Sequence, residues 1–189
     1  MTDDFKFTTN YSNNDNQNTN EPLPKGTYEC VINTVQESAT PSGAESIHFD
    51  LIVRNDLDQA LPNTNSKQHN RHLFLDEWRR KATNQYDMKH INMFMEAAGI
   101  PNGTSINSFE NFCQMMEGKP VRLDVNVIND NYNGINNKKN DVAPWGWHKT
   151  QFPQVQHQWK NSKMAPQSDP FSSQATDLNY KVEDTDLPF

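Results

Sequence analysis

The sequence predicts a mainly β fold: a small, partly open barrel of short strands, with two short helices inserted between the third and fourth strands and flexible polar ends. Three observations carry this expectation. Apolar and polar residues alternate with period two through Glu45–Arg54 and Val121–Ile128, as they do in strands with one buried side. Two neighbouring stretches, near residues 91–98 and 109–117, carry apolar residues at helical spacing instead. Both ends of the chain are rich in Asn, Gln and Ser and poor in apolar residues.

Taken in order, Asn10–Asn20 is an Asn-rich run that cannot bury enough apolar surface to offset its chain entropy, although Phe5 and Phe7 before it could add a short edge strand. Pro22, Pro24 and Gly26 punctuate the start of a first strand, Thr27–Glu37, whose apolar content is Val31, Ile32 and Val35. A turn at Pro41-Ser42-Gly43 leads to the second strand, in which Ile47, Phe49, Leu51 and Val53 share one face. Residues 55–70 read as a polar connection. The third strand, Arg71–Glu77, points Leu73 and Leu75 one way and His72, Phe74 and Asp76 the other.

Ile91, Phe94, Met95 and Ala98 form the stripe of the first helix, which Gly99 and Pro101 stop. Ser108 caps the second helix, Phe109–Glu117, whose stripe is Phe109, Phe112, Cys113 and Met116. The fourth strand is followed by a turn region at 129–141, where Asn133-Gly134 supplies positive φ angles, and the chain returns through Val142–Trp145 to Trp147. Five strands with helices at this connection give the outline of an OB-fold, whose outer strand face and loops hold oligonucleotides. After Pro153 the pattern dissolves into a linker and tail, so the organisation is 1–21 flexible, 22–153 folded and 154–189 linker and tail.

Two clusters suggest contacts to a nucleic acid. Trp78-Arg79-Arg80-Lys81 is the densest basic and aromatic stretch, suited to phosphates and, with Phe74, to base stacking. Tyr132, Lys138 and Lys139 at the hairpin, with Trp145 and Trp147 on its return arm, have the same parts. Arg71 and Arg122 on the strands complete the candidate set. The plainer alternatives are that the indoles fill the core and the cations are a solvated face.

Two resemblances favour the nucleic-acid reading. The closing residues Asp184-Thr185-Asp186-Leu187-Pro188-Phe189 resemble the acidic tip of bacterial single-stranded DNA-binding proteins, which recruits replication and repair enzymes; Leu187 stands where that tip usually has Ile, and Thr185 interrupts the acids. In addition PLPKGTYECVI (22–32), SIHFDLIVRN (46–55), EAAGIP (96–101) and GKPVRLDV (118–125) resemble a family of small phage-encoded proteins described as single-stranded DNA-binding or replication-associated. That second resemblance spans about residues 5–150. It implies an OB-like body, sequence-independent single-stranded DNA as partner, a role in phage DNA replication, recombination or repair in the host bacterial cytoplasm, and Asp184, Asp186, Leu187, Pro188 and Phe189 as contacts to host or phage replication and recombination proteins. Self-association into a homo-oligomer stays open.

Composition narrows the alternatives. At 189 residues, 33% apolar and a mean hydropathy of -0.95, the chain can build one modest core. Its net charge of -7 is concentrated at the ends: residues 1–21 carry -3, residues 160–189 carry -2, and the middle is left with -2. A DNA-binding footprint is therefore expected as a patch, not a whole surface. Cys30 and Cys113 lie in apolar periodic segments and read as buried free thiols in a reducing cytoplasm. No apolar run spans a membrane, and MTDDFKF lacks the order of a signal peptide. His48, His69, His72, His90, His148 and His157 show no metal-ligand spacing, and neither a phosphate-cradling glycine loop nor a nucleophile elbow is present. The expectation is a binding protein without metal or cofactor and not an enzyme. The alternatives are a nuclease using Asp50, Asp56, Asp58 and Asp76, or a protein-interaction adaptor that leaves DNA alone.

Overall fold

In a computed structural model of the chain, the residues described are 21–132 and 135–159, with the side chains of 131–136 excepted. The Asn-rich run with Phe5 and Phe7, the Asn133-Gly134 turn, the Tyr132 side chain and the whole terminal tip, Asp184 to Phe189, lie outside them.

Among the described residues the architecture is a six-stranded antiparallel sheet with three short α-helices and one 3-10 turn, Pro144–Gly146. The elements are β1 (Gly26–Ala39), β2 (Glu45–Val53), α1 (Asn65–Gln68), β3 (His72–Trp78), α2 (Met88–Ala97), α3 (Phe109–Met116), β4 (Pro120–Tyr132), β5 (Ile135–Asp141) and β6 (Trp147–Lys149). Neighbours across the sheet run β3-β2-β1-β4-β5, and β6 pairs separately with β4. The two helices expected between the third and fourth strands are both present, with Asp87 and Ser108 capping them through bonds from the backbone N–H of Lys89 and Asn111.

The strands do not close into a barrel among the described residues: β3 and β5 lie near each other but share no ladder. The stretch 21–24 spans that seam. Arg71 donates to the Glu21 carbonyl, while Asn140 accepts from the Leu23 amide at 2.7 Å and donates to the Leu23 carbonyl at 2.8 Å. Leu23 itself is buried.

One face of the sheet is the core. Tyr28, Cys30, Ile32, Ile47, Phe49, Leu51, Leu73, Leu75, Val121, Leu123 and Val125 meet Ile91, Phe94, Phe112 and Met116 from the helices. Phe49 sits among Phe94, Phe112 and Trp147 at centroid distances of 5.5, 6.5 and 5.2 Å, in edge-on arrangements. Val35 joins this face as well, out of phase with Ile32 by simple alternation. A bulge between Ile32 and Thr34 inserts the extra residue that restores it.

Three features depart from the sequence pattern. The polar connection holds a short helix, because the buried Asn65 side chain bonds the Glu29 amide and carbonyl and the Arg54 carbonyl. The expected turn region at 129–141 is largely strand: Tyr132 pairs with Ile135, so only two residues connect β4 to β5. Exposed hairpin strands need no apolar face when backbone pairing satisfies the ladder. Finally, hydrogen bonds tie residues as far as Gln156 and His157 to Asn55 and Asp56, although the apolar pattern dissolves after Pro153.

Candidate nucleic-acid interface

The second face of the sheet divides into a covered half and an open half. In the covered half Arg54, fully buried, forms a two-point pair with Asp56 (3.0 and 2.6 Å) and donates to the carbonyls of Phe152 (2.6 Å) and Gln154 (2.7 Å). Glu29, also buried, accepts from the Thr150 hydroxyl at 2.6 Å and the Gln151 amide at 3.0 Å. Asp56 accepts the Gln156 amide, and His157 accepts the Asn55 amide. Buried charges need partners of this kind. Residues 150–157 are thereby fastened over this half. Burial works against the Asp56 carboxylate, but the bonds from Arg54 and Gln156 outweigh it and hold its pKa below the usual value.

The open half is built by β1, β2 and β3. Register places Thr34 beside Asp50 and Phe74, Gln36 beside His48 and Asp76, and Ser38 beside Ser46 and Trp78. Here Phe74 lies between two imidazoles, stacked with His48 at 5.7 Å and 15° and with His72 at 5.8 Å and 22°. Each imidazole is fixed from below: His48 Nδ1 meets Asp76 at 2.9 Å, and His72 Nδ1 meets Asp50 at 2.7 Å. A carboxylate only accepts, so both Nδ1 atoms carry hydrogen. Asn33, the bulge residue, donates to Asp50 at 2.6 Å, and the Ser46 hydroxyl donates to Asp76 at 3.2 Å. Phe74 is 57% exposed and Trp78, two positions further along this face beyond Asp76, 45%, so both rings offer surface to solvent.

The sequence-derived candidates separate on this framework. Phe74 and Trp78 share the open face. Arg79 extends from the end of β3, but it is held by Glu45 at 2.7 Å and Glu37 at 3.4 Å, with its guanidinium 4.6 Å above the Tyr86 ring. Arg80 pairs with Asp87. The three cations lie between β3 and α2, not in a helix, and Lys81 is exposed without an ion pair among the described residues. Arg71 is engaged with Gln68 and the Glu21 carbonyl at the seam. Arg122 is half-buried on β4 opposite Glu29, and its Nε is buried without a hydrogen-bond partner among the described residues.

Lys138 and Lys139 are exposed on β5, Lys139 at 3.4 Å from Asp130. Trp145 is 73% exposed in a turn beside α2, away from the ring row on β3, whereas Trp147 is buried and packs on Phe94 at 4.6 Å. Trp147 is a core residue and presents no ring to a base. Four residues missed by the sequence reading shape the open face: His48, His72, Asp50 and Asp76 in these supporting roles. Period-two alternation puts each on the polar side of its strand; the cross-strand register that joins them is not local information.

Among the described residues no group of three or more His, Cys, Asp or Glu is placed to hold a metal ion, and no helix is long and apolar enough to cross a membrane. A family described as "Protein of unknown function (DUF669)" matches residues 7–169. No curated protein matches the chain.

Proposed function

Since the chain belongs to the DUF669 family, whose description assigns no activity, its role is argued from its own residues, and we propose that it binds single-stranded DNA without sequence preference. The observation that carries this reading is the solvent-facing row His48–Phe74–His72 with Trp78 on β2 and β3. Two large rings half-exposed on one sheet face support a stacking role, because every base has a π-face that such rings can accept. In the OB-fold the face of strands two and three and the loops between strands one and two and between four and five hold oligonucleotides. The strand order here, with helices between β3 and β4, supports reading the sheet as an OB-like barrel left open between β3 and β5. The ring row then lies on the face that the fold uses for binding.

In this reading the protein works by binding, not by catalysis, in phage DNA replication, recombination or repair within the host bacterial cytoplasm. The terminal Asp184, Asp186, Leu187, Pro188 and Phe189 recruit replication and repair proteins; that part rests on the sequence alone.

Titrating oligo(dT) into the full chain while following tryptophan fluorescence tests the proposal. Saturable quenching that unlabelled single strands compete away, and duplex of the same length does not, is expected. Equal competition by duplex, or no binding, would overturn it.

A further inference from the structure

The charges around the ring row have the wrong sign for a strand of phosphates. Asp50 and Asp76 lie directly beside Phe74 and His48, and among the described residues no Lys or Arg of β1, β2 or β3 shares the open face. β1 contributes Asn33, Thr34, Gln36 and Ser38, none of them titratable; β2 contributes His48 and Asp50; β3 contributes His72 and Asp76. At the margins Arg71 is engaged at the seam, and Arg79 is already neutralised by Glu45 and Glu37. With both imidazoles neutral, the face carries two uncompensated carboxylates.

Resting on the single-stranded DNA reading, we propose that His48 and His72 are the cations of this site, and that strand binding there is coupled to their protonation. The geometry prepares them for it. Each Nδ1–H is held by a carboxylate at 2.9 or 2.7 Å, so the proton taken up goes to Nε2, the atom turned away from that carboxylate. The carboxylate stabilises the resulting imidazolium in place, and the pair becomes neutral. Two such events take the face from two negative charges to none, removing the repulsion a phosphate meets as its base stacks on Phe74. Imidazole is the one side chain that ordinarily changes charge within the physiological range, which is why a histidine can couple binding to proton uptake.

Linkage sets the size of the effect. A ligand that binds one additional proton tightens by up to about tenfold per unit of pH across the titration range. Oligo(dT) affinity of the full chain, measured by fluorescence anisotropy at fixed salt, is expected to rise roughly tenfold to a hundredfold from about pH 8 to about pH 5.5. Replacing His48→Gln and His72→Gln together keeps a polar side chain at each position and should flatten that dependence. Each single substitution should remove about half of it on a logarithmic scale.

Calorimetry of the unaltered chain near neutral pH, in two buffers of different ionisation heat, counts the protons directly: about one-half to one taken up per bound strand is expected, and none would overturn the proposal. A pH-independent affinity that still depends on Phe74 would remove the histidines while leaving the DNA-binding reading intact. Absence of oligo(dT) binding at every pH would remove both. A double variant that melts like the unaltered chain yet keeps its full pH dependence would also overturn the proposal, by assigning the coupling elsewhere.

Discussion

Arg54→Met removes one guanidinium and, with it, the hydrogen bonds that hold the Phe152 and Gln154 carbonyls. The arginine is fully buried; its four hydrogen bonds go to Asp56 twice, at 3.0 and 2.6 Å, and to the Phe152 and Gln154 carbonyls at 2.6 and 2.7 Å. Methionine matches much of the stem but leaves the Asp56 carboxylate and two carbonyls without these partners. Breaking a buried pair from one side costs about 3–5 kcal/mol, because the abandoned charge stays out of water. Urea unfolding of the two proteins gives this difference, and limited proteolysis should cut the variant first near 150–157.

The pH dependence supplies an internal check on the same substitution. The folded Asp56 carboxyl has a pKa below its ordinary value, so its stabilising pair is fully present above the ordinary carboxylate range and is lost as pH falls through the folded value. The stability difference between the two proteins should therefore shrink under acid. A loss under about 1 kcal/mol at neutral pH, or a difference that grows on acidification, would refute the reasoning.

Other substitutions separate roles that look alike in the sequence. Trp147→Ala should cost about 3–5 kcal/mol, as truncations of buried large aromatics do, whereas Trp145→Ala should change stability by no more than about 0.5 kcal/mol; melting curves distinguish the two. Burial lowers the pKa of His157, so the folded state favours neutral imidazole, and stability should fall as pH drops below the ordinary histidine value. His157→Gln should reduce that slope in thermal melts across the same range. Replacing Arg79, Arg80 and Lys81 together by Ala should change the logarithmic salt slope of oligo(dT) binding by less than about one, since two of the three cations are already paired; a larger change would put this cluster in the site.

The parts of the fold carried by local periodicity were legible. Ile47, Phe49, Leu51 and Val53 alternate and line the core, and Ile91, Phe94, Phe112 and Met116 mark helix faces that pack there. What escaped depends on partners far along the chain. Nothing local in residues 55–70 announces that Asn65 bonds Glu29, and nothing at Val31–Val35 announces the bulge at Asn33. Arg79 and Arg80 form an exposed basic run on paper, but their carboxylates come from positions 37, 45 and 87. Trp145 and Trp147 differ by two positions and end on opposite sides of burial, because only Trp147 belongs to a strand paired with β4. The candidate site was half legible: Phe74 and Trp78 were visible, whereas the flanking imidazoles needed the register between β2 and β3.

The measurement that bears most directly on the ring row compares the unaltered chain, Phe74→Ala and Trp145→Ala in one oligo(dT) titration at fixed pH and salt. All three need matching melting curves first. Loss of a stacked base costs about 1–3 kcal/mol, so Phe74→Ala should weaken binding by roughly 5-fold to 150-fold while Trp145→Ala leaves it unchanged. Equal affinity for the unaltered chain and Phe74→Ala would contradict the assignment of the β2–β3 face as the DNA site.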